Sequence, residues 1–157
     1  MANPITMTLS EIDSAIARNL MKWRRMTKFA VETDGKIISD SMDFSQSLDP
    51  HWFDRDGHVV ATAEATHSRA GECVWSPTHN AADAQAVRYK LAEKYQSIIL
   101  ARIVGGAMAL FALFINTPVS HGRTKSHIAM GASEEIATSL CALAAVGIEA
   151  QIEEESD

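Results

Sequence analysis

The chain has 157 residues, 46% of them hydrophobic and 22% charged, with a formal net charge of −6. A chain of this length buries enough surface to form one globular domain, with no metal or disulfide needed to hold it together. The run Glu153-Glu154-Glu155-Ser156-Asp157 carries four of the negative charges, leaving a body near −2, so strong nonspecific nucleic-acid binding is not expected.

Residues 1–150 read as a single α+β domain and residues 151–157 as an acidic tail. The start, Met1-Ala2-Asn3-Pro4-Ile5-Thr6, lacks the basic and apolar regions of an export signal, so a cytoplasmic setting is expected. Cys73 and Cys141 are far apart in sequence and are expected as free thiols in a reducing compartment.

Thr8-Leu9-Ser10-Glu11 is a capping box, in which hydroxyl and carboxylate each satisfy the other residue's amide. Behind it, Ile12, Ile16, Leu20 and Trp23 recur at helical spacing, which predicts a docked helix from about Leu9 to Trp23. Lys28 to Ser39 reads as a hairpin turning at Asp34-Gly35, and Asp40 to Pro50 as a loop. His51-Trp52-Phe53, Asp54-Arg55-Asp56-Gly57 and His58-Val59-Val60 form a second strand-turn-strand signature. Ala61 to Gly71 reads as loop and Glu72–Trp75 as a short strand.

Trp75-Ser76-Pro77-Thr78-His79-Asn80 then reads as a strand end, a proline turn and a helix cap. The helix that follows, through Lys94, would bury Ala84, Val87, Leu91 and Tyr95. Ile98 to Ile115 is almost wholly apolar and nominally long enough to span a membrane. Arg102 opposes that, and Gly105-Gly106 divides the run into a hairpin of Ser97–Val104 and Ala107–Ile115, buried on both faces or nearly so. Thr117-Pro118 is expected to break the chain before a polar strand at Arg123–Ala129. Ser133 caps a last helix with Ile136, Leu140, Leu143 and Val146 inward and Gly147 as its stop. Hairpins dominate over crossovers, so the fold class is α+β, a mainly antiparallel sheet with three helices packed on it.

Three segments carry a resemblance. Glu11-Ile12-Asp13 with Ile16-Ala17, Leu20-Met21 and Trp23 resembles the opening helix of the phage ABA sandwich domain family. His51-Trp52-Phe53 to Asp56-Gly57, and Trp75-Ser76-Pro77-Thr78 to Asp83-Ala84, are similar to its aromatic-rich middle. Ala137 to Gly147 resembles its closing helix. The resemblance implies a layered α/β/α sandwich of unassigned role, encoded by phages, with no catalytic residues to carry over. Small phage proteins of this kind include accessory factors that inhibit host defence.

His121, Arg123, Lys125 and His127 are spaced by two, so on a strand all four would share one face. Such a row could bind a phosphate, a nucleotide-like anion or an acidic protein surface, more strongly as pH falls through about 6.5. The competing reading is a solvated edge whose charges discourage edge-to-edge pairing. Trp23 with Arg25, and Trp52, are candidate partner anchors, although such tryptophans more often close a core. No metal or cofactor is expected: no two histidines have i, i+4 spacing, and Asp54-Arg55-Asp56-Gly57 lacks the rest of a calcium loop. No nucleophile elbow, Walker loop or dinucleotide fingerprint occurs.

These readings lead to a non-enzymatic phage accessory protein that binds a host protein or sequesters a small anionic ligand. A homo-oligomer would use the apolar hairpin as its interface. The alternatives are a small phosphoester or nucleotide hydrolase using dispersed His and Asp residues, and a virion or assembly component.

Overall fold

The computed structural model describes residues 4–26, 30–31, 37–39, 50–63, 74–95, 98–105 and 108–153. The Asp34-Gly35 turn, residues 40–49 of the expected loop, His67, Cys73, Gly106 and the acidic residues 154–157 lie outside them. The fold is α+β, with three α-helices among the described residues and mainly antiparallel strand pairing. It divides into two compact units, one of Met1–Ile16 with Ser76–Asp157 and one of Ala17–Trp75, and the division falls inside the first helix.

In the first unit, β1 (Ile5–Met7) pairs in parallel with β10 (Ala150–Ile152), so the residues expected to open the acidic tail belong to a strand. Helix α1 (Leu9–Asn19) starts at the predicted capping box: the Thr8 hydroxyl accepts from the Glu11 amide at 3.2 Å, and the Glu11 carboxylate accepts from the Thr8 amide at 2.8 Å. Ile12 and Ile16 are fully buried. Helix α2 (Ala81–Lys94) starts at the predicted cap, where Asn80 Oδ1 accepts from the amides of Ala82 and Asp83. Its buried residues are Ala84, Val87 and Leu91; Tyr95 caps the end and donates its hydroxyl to the Ala145 carbonyl at 3.4 Å.

The apolar run forms the first two strands of the sheet β7-β8-β9: β7 (Ile98–Gly105), β8 (Met108–Pro118) and β9 (Thr124–Gly131), all antiparallel. The expected break at Thr117-Pro118 is instead the end of β8, where a missing N–H disturbs the ladder least. Helix α3 (Glu134–Ala145) packs on β8 and β9. Ser133 Oγ caps it by accepting from the Ile136 amide at 3.1 Å. Gly147, at φ 90°, stops it as expected: its amide reaches Ala144 and that of Ile148 reaches Leu143, a Schellman pair. Among the described residues, no helix is long and apolar enough to cross a membrane.

Alternation and register sort the sheet into two faces. Leu113 lies beside Ala129, Ile115 beside His127 and Thr117 beside Lys125 on the face toward α3. A Cβ added to Gly131, on that face, would come within 2.6 Å of Ile136 in α3. The opposite face holds Ala112 beside Met130, Phe114 beside Ile128 and Asn116 beside Ser126. There Ile128 is 58% exposed and Met130 56%, so β9, read from the sequence as a polar strand, leaves an apolar strip open on this face.

In the second unit, β2 (Arg24–Met26), β5 (His51–Phe53) and β6 (Val59–Thr62) make an antiparallel sheet in the order β2-β5-β6. The predicted hairpin is present as β3 (Ala30–Val31) and β4 (Ile37–Ser39). Between β5 and β6, Asp54 Oδ1 accepts from the amides of Asp56 and His58, closing the turn. The expected strand at Glu72–Trp75 is reduced, among the described residues, to a bridge between Val74 and Thr62. Helix α1 ends at Asn19, four residues earlier than its periodicity predicts. Lys22 takes a φ of 62° and the Trp23 amide turns back to the Ala17 carbonyl at 2.9 Å, so Trp23 leaves the helix.

Candidate functional site

Strand β9 forms one wall of an open cavity of about 360 Å³. Consecutive residues Lys125 to Met130 line it, facing Leu140 and Ala144 of α3 and Glu149 before β10. Continuous lining by six strand residues means that the cavity follows the strand's edge. His127 is half-buried there, and its Nε2 lies 2.9 Å from the Thr117 hydroxyl. Burial, and then the Lys125 charge, hold its pKa below the ordinary 6.5, against the opposing pull of Glu149. His127 therefore gains its proton at lower pH than the sequence reading supposed.

The predicted row of four is only partly assembled. Lys125 and His127 share the face toward α3, with Lys125 exposed. Arg123 is exposed and immediately precedes the strand, its carbonyl accepting from the Val119 amide at 2.8 Å. His121 does not belong to the row: it sits in a 3-10 turn, Ser120–Gly122, at a φ of 66°. A left-handed residue reverses the chain, and period-two counting does not survive a reversal.

Of the candidate anchors, Trp52 is corrected to a core residue, while Trp23 and Arg25 are half-buried. Trp52 is 1% exposed, in the middle of β5, with the Arg18 guanidinium carbon 5.5 Å from its ring centre. Trp23 packs edge-on against the buried Trp75, ring centres 4.7 Å apart at 70°. Arg25 is half-buried and lies opposite Trp52 in the β2–β5 register. Trp52 and Trp75 belong to the core of the second unit, with Trp23 and Arg25 half-buried beside them.

A polar cluster escaped the sequence reading because it joins residues more than sixty positions apart. Asp13, 7% exposed on α1, accepts at Oδ1 from the Thr78 amide at 3.0 Å. Its Oδ2 accepts from the hydroxyls of Thr78 at 3.0 Å and Ser76 at 3.2 Å. Both hydroxyls also lie within 3.1 Å of Nδ1 of the exposed His79. With their protons turned to Asp13 they accept from Nδ1–H, which leaves Nε2 as the basic nitrogen of neutral His79. Asp83 Oδ2 accepts from the Ser76 amide at 2.9 Å. Burial raises the pKa of Asp13 despite its bonds from Thr78 and Ser76, and raises that of Asp83 despite its bond from Ser76. The proline turn and cap were legible; the carboxylate on another helix was not.

Among the described residues, Asp54, Asp56 and His58 bring possible metal-ligand atoms within 4.8 Å of one another. Asp54 Oδ1 is already engaged by the two amides of its turn. Comparisons with family models, curated proteins and solved structures return no match for this chain.

Proposed function

We propose that the protein is a non-enzymatic phage accessory factor that counteracts host defence by binding a host protein along β9. The observation supporting the binding reading is the edge cavity, in which a cation at Lys125 and the half-buried His127 adjoin the apolar Ile128 and Met130. Mixed charge and apolar surface along an open strand suits a protein partner better than a small anion, since Glu149 lines the same cavity. Phage origin and the defence role rest on the family resemblance alone. Native mass spectrometry of the protein after incubation with lysate from a defence-carrying host tests the reading. A stoichiometric host protein is expected, with binding weakened by Arg123→Ala and Lys125→Ala. A retained nucleotide-like anion would replace the protein partner with ligand sequestration, and unchanged affinity in both variants would overturn the role of β9.

The contact of Asp13, Ser76 and Thr78 with His79 favours a second reading, a small phosphoester hydrolase with His79 Nε2 as its base. Turnover of nucleotide or phosphoester substrates, abolished by His79→Ala, would establish it; stoichiometric inhibition of a host protein without turnover would rule it out.

A further inference from the structure

Strand β9 is a terminal strand of its sheet, and among the described residues none pairs with its outer edge. Thr124–Gly131 carries little that guards a free edge: no proline, no register shift against β8, and one lysine near its start. Ile128 and Met130 leave its face away from α3 apolar and exposed. An unpaired main-chain edge flanked by apolar side chains is suited to another strand.

We propose that this strand is supplied by a second copy of the chain, β9 pairing antiparallel with the partner's β9 about a twofold axis. A continuous sheet must match like faces, so a residue can stand only opposite one whose number has the same parity. The register centred on Ile128 sets it against the partner's Ile128. Ser126 then stands beside the partner's Met130, His127 beside the partner's Ala129 and Lys125 beside the partner's Gly131. No like charges oppose one another, and the apolar side chains gather on one face. Centring on His127 instead sets the two histidines against each other and Ile128 against the partner's Ser126, which is a poorer match. The strand is thus complementary to itself, which favours a copy of this chain at its main-chain edge and leaves the Lys125–His127 side of the cavity to the host protein proposed above. The pairing also carries the partner's His127 to a diagonal position about 7 Å from His127, so each cavity along β9 would be completed by the other subunit.

Sedimentation velocity over roughly a hundredfold range of protein concentration tests the pairing by mass action. A dimer is expected for the natural chain. Ile128→Glu and Ile128→Lys should each weaken it by roughly a hundredfold or more, by replacing buried apolar surface with opposed like charges. Mixing the two variants should restore a dimer, because glutamate then faces lysine. Hydrogen exchange on the natural chain gives a readout free of folding defects: β9 amides should exchange more slowly as concentration rises. A natural chain that stays monomeric, β9 exchange independent of concentration, or single variants that dimerise like the natural chain would overturn the proposal. Failure of the mixture to reassociate would overturn the register.

Discussion

Asp13 shows how much one buried carboxylate can organise. Its two oxygens satisfy an amide and two hydroxyls in the turn that starts α2. Asp13→Ala would strand those donors and is expected to lower the unfolding free energy by about 3 kcal/mol, measured by urea denaturation. Asp13→Asn keeps an acceptor for the Thr78 amide and should cost less. Titration offers an independent check. The folded-state pKa values of Asp13 and Asp83 lie above the ordinary 3.8, so the folded chain takes up those protons first. Their contribution to stability therefore grows as pH falls through the folded values and levels off below 3.8. His127 behaves oppositely: its pKa lies below 6.5, so its contribution is complete above 6.5 and is lost as pH falls through the lowered value. Urea midpoints across this range should show Asp13→Asn removing part of the gain toward acid, and His127→Gln removing the loss below 6.5.

At the scale of elements, caps and close approaches decide where helices begin and how tightly they dock. Asn80 satisfies the amides of Ala82 and Asp83 at the start of α2. Asn80→Ala should cost about 1 kcal/mol, read from the denaturation midpoint. Gly131 has a different role: an added methyl would lie 2.6 Å from Ile136 Cγ2 and 2.9 Å from the Ala137 amide nitrogen. Backbone cannot yield as a side-chain tip can, so Gly131→Ala should separate β9 from α3 and cost about 2 kcal/mol. Chemical-shift changes should spread along both elements.

At the scale of the whole molecule, Cys141 can report on opening. It is fully buried on α3, its thiol 3.7 Å from the His127 carbonyl, and burial pushes its pKa up to about 12. A buried thiol with so little thiolate is nearly inert. In a Cys73→Ser variant, labelling of Cys141 should therefore be slow in the folded chain and accelerate in step with loss of the far-UV circular dichroism signal in urea. Rapid labelling of the folded chain would show that α3 detaches from the sheet locally.

What could be read from the chain alone was what neighbouring residues decide. The capping box at Thr8 and Glu11, the Asn80 and Ser133 caps, the Gly147 stop and the antiparallel pairing within Ile98–Ile115 depend on groups a few positions apart or on a pattern repeated along one element. The errors share a cause as well. Trp23 fits the helical period, but Lys22 takes a left-handed conformation and releases it to pack on Trp75. His121 fits a period of two, but the turn at Ser120–Gly122 removes it from the row. The role of Asp13 went unread because Ser76 and Thr78 meet it across more than sixty positions. Only the tertiary structure decided which charges were buried, which tryptophans were core and which edge of the sheet remained open. Those outcomes depend on partners distant in sequence, whose proximity no local spacing encodes.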